Sequence, residues 1–249
     1  MRVKNIIICY SLFAFILCSL AFTQNTQKFI YKTKFKSFKV GNTKITITTH
    51  DSDKDKKIIT IESSSNKWID LIYKLRHYST LIIDSSDYSL LAMTQKVQQG
   101  DYIDSYNATI NYEEKRIYYQ NLKNLINNPT AEEFIISIEG KIYDPFSIVY
   151  YLQNIDLNTS QQHLFTYYSK EKVKSLKLEI LNTEEIVTPY ITSPCYLAVP
   201  HSINNDYLLK NKGEMKIWYT DDEKQLPIKI QQKMRHGIME LLLVNYIEE

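Results

Sequence analysis

Ser105-Tyr106-Asn107-Ala108-Thr109-Ile110-Asn111-Tyr112-Glu113-Glu114-Lys115-Arg116-Ile117-Tyr118-Tyr119 is the stretch that decides the fold class. Successive side chains of an extended chain point to opposite faces, so Tyr106, Ala108, Ile110 and Tyr112 share one face and Ser105, Asn107, Thr109 and Asn111 the other. Glu113-Glu114-Lys115 then supplies a polar turn into the apolar run Ile117-Tyr118-Tyr119. Such a segment is an antiparallel hairpin with one face on a core and one in water.

The same pattern repeats in both directions along the chain. Ile45 and Ile47 alternate with Lys44, Thr46 and Thr48, and Ile59 and Ile61 with Thr60 and Glu62; Asp51 to Lys57 between them reads as a charged hairpin tip. Leu176, Leu178 and Ile180 oppose Ser175, Lys177 and Glu179. Met215, Ile217 and Tyr219 precede an Asp221-Asp222-Glu223-Lys224 turn, and Leu226, Ile228 and Ile230 follow it. Twenty tyrosines and many Ile and Thr suit a pleated sheet. The lysines at 28, 32, 34, 36, 39 and 44 mostly alternate with apolar residues, which fits the wet face of a strand; the alternative is a stripe for lipid or nucleic acid.

Two segments carry helix signals. Asp144-Pro145 sets a side-chain cap before a proline at the first helical position, and Ile148, Leu152 and Ile155 follow at i, i+4 and i+7 beside Phe146, Tyr150 and Tyr151. Ser65 or Asn66 caps a weaker second helix in which Trp68, Leu71, Ile72 and Leu75 share a face, although Ile69, Leu71, Tyr73 and Leu75 also alternate as a strand would. The expected architecture is a mainly β, single incurved antiparallel sheet, a half-barrel with one or two helices on its concave side. Asn124 to Glu133 reads as a loop within one domain.

The N-terminus has the three-part layout of an export signal. Arg2 and Lys4 precede an uncharged apolar run from Ile6 to Leu17, and Ser19-Leu20-Ala21 places small residues where signal peptidase reads them. Residues 1–21 are therefore expected to be a signal peptide cleaved after Ala21, and residues 22–249 a single exported domain that does not span the membrane. The alternative is an uncleaved anchor, since the apolar stretch reaches Phe22. Cys9 and Cys18 fall within the leader, leaving Cys195 without a disulfide partner and best suited to a buried packing role.

Several chemistries are excluded. The formal net charge is +2, and Arg2 and Lys4 account for all of it, so the body is neutral and has no broad electrostatic hold on nucleic acid. Five isolated glycines cannot write a dinucleotide fingerprint or a P-loop. His50, His77, His163, His201 and His236 show no metal spacing, so no metal and no cofactor is expected. Asp221-Asp222 and Glu184-Glu185 read as turn residues and not as acid/base pairs. The chain is expected not to be an enzyme. What remains is aromatic: Phe146, Tyr150, Trp218 and Trp68 are the candidate ligand-binding residues, with core packing as the alternative role for each.

Three stretches in this order also resemble a known family: Asp144-Pro145-Phe146-Ser147 with the helix running to Asp156, then Glu185-Ile186-Val187-Thr188-Pro189, then Ile217-Trp218-Tyr219-Thr220-Asp221-Asp222 with Pro227-Ile228-Lys229-Ile230. Together they resemble exported bacterial proteins that share a domain of unknown function. The likeness is most specific in the C-terminal part. Tyr190-Ile191 follow Thr188-Pro189 where that family has glycine, and Gln225 stands where a basic residue is common. The resemblance implies an incurved sheet like that of periplasmic lipoprotein-localisation factors, with Trp218 in the terminal hairpin, Pro227 at a strand start and Asp144 as the helix cap. The export signal, the one-sided strands with their helix, and the Tyr-rich strand edges leave two expectations for function. One is a periplasmic or outer-membrane-associated module that binds an apolar ligand such as a lipid or lipoprotein. The other is a structural or interaction protein of the envelope with a protein partner.

Overall fold

The computed structural model describes residues 25–50, 53–122, 133–157, 163–169, 171–203, 214–234 and 236–249. The leader, its cleavage point and most of the expected loop at Asn124 to Glu133 lie outside the described residues. The first half of the chain forms β1 (Thr26–Phe35), β2 (Phe38–His50), β3 (Asp53–Ser65), β4 (Leu75–Asp84), β5 (Leu90–Gln99), β6 (Tyr102–Asn111), β7 (Arg116–Asn121) and β8 (Glu133–Ser137). The second half forms β9 (His163–Ser169), β10 (Lys172–Val187), β11 (Thr192–Ser202), β12 (Met215–Thr220), β13 (Pro227–Met234) and β14 (Gly237–Glu248). Among the described residues two short helices are fully defined, α1 (Lys67–Asp70) and α2 (Pro145–Tyr151).

Among the described residues all named strands join one 14-stranded sheet in the order β8-β7-β6-β5-β4-β3-β2-β1-β14-β13-β12-β11-β10-β9. Each half is a meander in which a strand pairs with its successor, and the halves meet where β1 pairs antiparallel with β14. The sheet is not closed: β8 and β9, neighbours in sequence, are its two edges. The connection between them carries α2 across the concave face. Backbone bonds from Leu90 to Ile142, from Tyr143 to Thr166 and from Tyr168 to Tyr143 tie that connection to β5 and β9, one strand from each half.

The alternation read from sequence matches the burial. Phe29, Tyr31, Ile45, Ile59, Ile61, Leu81, Ile83, Tyr106, Ala108, Ile117 and Tyr119 are buried on the first half's concave face, and Phe165, Leu176, Leu178, Ile217, Ile230 and Leu243 continue that face through the second. Register shifts between Leu181 and Glu184, between Trp218 and Tyr219, and between Ile30 and Tyr31 mark bulges, which raise local twist and help the sheet curl. Asp53 to Lys57 belong to β3 and not to a hairpin tip: Asp53 pairs with His50 and, past a register shift, Lys57 with Thr49 of β2, while Lys56 and Lys57 pair with Asp84 and Ile83 of β4.

The segment with Trp68 departs from expectation. Only Lys67–Asp70 is helical, capped at Asn66 without a side-chain bond, and Leu75 opens β4. No residue of this helix is buried, so the amphipathic face expected of Trp68, Leu71, Ile72 and Leu75 has no core beneath it. The reason is topological: β3 and β4 are adjacent, so the link between them stays at the rim and does not cross the hollow.

Gly41 in β2 shows how tightly neighbouring strands approach. A Cβ placed there would lie 2.2 Å from the backbone oxygen of Ser64 on β3. Gly41→Ala is expected to force the two strands apart and cost about 1–3 kcal/mol of stability, the range for overpacking a close contact. Gly140→Ala, which meets nothing within 4 Å, is the matched control. Urea midpoints that fall equally for both variants would contradict this account.

Candidate functional site

The concave face is built around α2. Asp144 accepts from the backbone N–H of Phe146 at 2.7 Å, and its own N–H donates to Ser147 Oγ at 3.1 Å, a reciprocal capping box with Pro145 at the first helical position. Asp144 is buried, and that burial pushes its carboxyl up to about 7 against the two backbone bonds that favour the ionised form. Ser147, Ile148, Val149 and Tyr150 are all buried, as is Leu152 in the 3₁₀ turn that follows (Leu152–Asn154). A helix covered on this much of its circumference lies inside a core and is not a lid resting on an opening.

Three phenols fix its position. The Tyr150 hydroxyl lies 3.2 Å from that of Tyr31 on β1, Tyr31 donates to the carbonyl of Pro227 at 2.8 Å, and Tyr219 on β12 donates to the carbonyl of Val149 at 2.8 Å. Burial raises all three well above the ordinary tyrosine value, so they stay protonated and keep donating. The Phe29 ring packs 4.8 Å from Tyr150, and Tyr151 meets Phe165 edge-on at 5.9 Å. Beyond the helix, Gln225 donates to the carbonyls of Ile155 (2.7 Å) and Gln153 (3.2 Å) and accepts from Leu157 N–H at 3.4 Å. A neutral amide both donates and accepts here; a basic side chain could only donate.

The four candidate residues do not form one site. Phe146 and Tyr150 lie in the hollow, where Phe146 packs 6.3 Å from the His77 ring. Trp218 precedes Tyr219 in an extended strand, so its indole takes the opposite, outer face, a correction to its expected place in a ligand pocket. It is 4% exposed there, donates its Nε1–H to the Glu184 carboxylate and lies beneath Lys229 Nζ at 4.5 Å from the ring centroid. Trp68 sits at the rim, 82% exposed. The Glu184 role was hidden because its partner comes from a strand more than thirty residues away. Asp222 is the turn residue expected, accepting from Thr220 Oγ1, Lys224 N–H and Gln225 N–H. Cys195 is free and buried, and burial pushes its thiol up to about 12, which leaves it no thiolate for chemistry near neutral pH.

One cavity lies outside the hollow. A trough of about 510 Å³ runs across β2 to β6 on the face away from α2, with Lys44, Glu62, Arg76, Tyr78, Lys96 and Ile103 among its walls. A more polar recess of about 310 Å³ opens beside the 3₁₀ turn, between Lys57, Tyr88, Lys224 and Tyr246. Among the described residues no group of three His, Cys, Asp or Glu side chains is placed to hold a metal ion, and no helix is long and apolar enough to cross a membrane.

A family model described as a protein of unknown function (DUF3108) matches residues 30–244. Among solved structures, a beta-barrel-like protein of the domain of unknown function DUF1849 from Brucella abortus aligns with a TM-score of 0.61 at 7% identity, covering 90% of this chain and 98% of that one; at such identity the likeness is one of fold alone. A protein from Parabacteroides distasonis ATCC 8503 aligns over 90% of this chain and 96% of that one at 13% identity, but its TM-score of 0.32 carries no argument. No curated protein matches the chain. With the match running from β1 to β14 through α2 and the terminal hairpin, this chain belongs to the DUF3108 family of proteins of unknown function.

Proposed function

We propose that the protein is a non-catalytic interaction module of the cell envelope, which recognises a protein partner on its outer surface while its hollow serves as structural core. The observation that carries this reading is the filling of the concave face by α2, whose Tyr150 is fully buried and bonded to Tyr31 across the sheet. An acyl chain would have to displace a helix held by that contact and by the Tyr219 bond to Val149. This favours the interaction role over the apolar-ligand module. Export is supported by the leader layout of residues 1–21. The outer trough supplies the surface, with charged ends on Lys44, Glu62 and Lys96 around the half-exposed Tyr78 ring.

The test has two arms. Protein purified from exporting cells is expected to release no stoichiometric lipid in native mass spectrometry and to bind no apolar dye in its hollow. A photo-crosslinking residue at Tyr78 is expected to capture one defined envelope protein that the same residue at Glu113, exposed in the β6–β7 turn, does not. A stoichiometric lipid, or identical adducts at both positions, would overturn the reading.

A further inference from the structure

The loop between β3 and β4 presents its largest apolar side chains to solvent. Trp68, Leu71 and Ile72 are 82%, 80% and 87% exposed, Tyr73 is half-exposed, and Phe38 on the β1–β2 turn at the same end of the sheet is 77% exposed. Isolated exposed apolar residues are ordinary, but a cluster of this kind marks a contact surface.

This loop is held in a defined shape. The Asp70 carboxylate is bonded by Arg76 and by Ser65 Oγ, Ser65 Oγ also accepts from Leu75 N–H at 2.8 Å, and Asn66 bonds the Lys39 carbonyl at 3.1 Å and the Val40 carbonyl at 2.8 Å. On the far side, Gly100 N–H donates to the Lys74 carbonyl at 2.8 Å. The polar groups of the loop are thus turned inward to its own bonds and its apolar groups outward, the reverse of a loop shaped only for water.

Charge chooses the occupant. Lys36, Lys39, Lys67 and Lys74 are exposed around the apolar tip, and none lies within ion-pair distance of a carboxylate among the described residues. Asp70, the acidic residue inside the loop, is already satisfied by Arg76. Trp and Tyr with lysines beside them form the composition of a membrane interface, where rings sit at headgroup depth and lysine stems reach back to phosphates. A second copy of the chain would set these lysines against their own counterparts, which disfavours self-association through this face.

We infer that the α1 loop docks on an anionic lipid bilayer, with Trp68, Leu71 and Ile72 entering the boundary between headgroups and acyl chains and the surrounding lysines pairing with lipid phosphates. The inference goes beyond the function proposed above and uses none of its observations, so a cargo found in the hollow would leave it standing.

The chain carries its own reporter. Of its two tryptophans, Trp218 is buried and Trp68 is exposed. The N-terminal end of β1 lies at the opposite end of the sheet, about 30 Å away at the rise of a strand, and the Leu71→Ser/Ile72→Ser variant, which keeps residues 1–25 unchanged, separates docking of this loop from any contribution of the N-terminal segment. The experiment adds vesicles of phosphatidylethanolamine and phosphatidylglycerol with brominated acyl chains to the full chain and reads tryptophan fluorescence. Trp68 emission is expected to shift to the blue and be quenched, whereas phosphatidylcholine vesicles give at least about tenfold weaker apparent binding, as does K36E/K67E/K74E. Trp68→Phe, which leaves Trp218 alone, is expected to show no quenching, and Leu71→Ser/Ile72→Ser to lose it while melting as the parent does. Unquenched Trp68 on anionic vesicles, quenching indifferent to the lysines, or a lipid-free, concentration-dependent blue shift abolished by Leu71→Ser would each overturn the inference, the last in favour of a second copy of the chain.

Discussion

Tyr150→Ala is expected to cost about 3–5 kcal/mol of folding stability, the range for deleting a large buried aromatic side chain. The ring is fully buried against Phe29, and its hydroxyl meets that of Tyr31. Removing it leaves a void between α2 and β1 that the surrounding sheet cannot close, because β1 is pinned on both sides by β2 and β14. Tyr150→Phe separates packing from the polar contact and is expected to cost only about 1 kcal/mol, since Tyr31 still donates to Pro227. Urea or thermal unfolding of both variants checks the difference. The alanine variant is also expected to bind small apolar dyes that the parent does not, as engineered apolar cavities do. A loss below about 1 kcal/mol for Tyr150→Ala would mean that α2 is a loose lid, and would favour the apolar-ligand reading over the interaction role.

Asp144→Asn is expected to remove a pH dependence of stability between about 4 and 7. Burial raises the Asp144 carboxyl from 3.8 to about 7 in the folded protein, so the folded state holds this proton more tightly than the unfolded state. The sign follows by linkage: the stabilising contribution is fully present below the unfolded value and is lost as pH rises through the folded one. Asparagine caps a helix as well as aspartate and carries no charge to desolvate. The variant is therefore expected to match the parent near pH 4 and to exceed it at pH 8 by roughly 2–4 kcal/mol, following about 1.4 kcal/mol for each tenfold change in proton affinity. Urea midpoints at the two pH values measure this. Parallel pH profiles for the two proteins would show that the cap stays ionised in the folded state.

The sheet was legible wherever the two faces of a strand meet different solvents. Tyr106, Ala108 and Ile110, or Ile45 and Ile47, alternate because one side of each strand packs on the core and the other faces water, and a period of two survives in any single strand read alone. The cap at Asp144 was legible for a similar reason, since the bonds to Phe146 and Ser147 are local. Trp218 was not. Its indole is buried on the outer face by Glu184, Leu197 and Lys229, which come from three other strands, and nothing within its own strand distinguishes that burial from burial in the hollow. The Trp68 segment misled in the opposite sense: its apolar pattern suggested a face turned to the core, but a pattern cannot state whether a core is within reach.

The order of residues alone therefore determined that this is a one-sided antiparallel sheet with a capped helix, without nucleotide or metal motifs, because strand period, turn chemistry and capping are interactions between near neighbours. Only the tertiary structure decided that the β8–β9 connection runs through the hollow and fills it, that Trp218 faces away from it, and that Trp68, Leu71 and Ile72 stand at the rim. Those outcomes depend on which strands become edges and which become neighbours. Here the pairing of β1 with β14, at the two extremes of the described chain, sets the edges and so the path of everything between them.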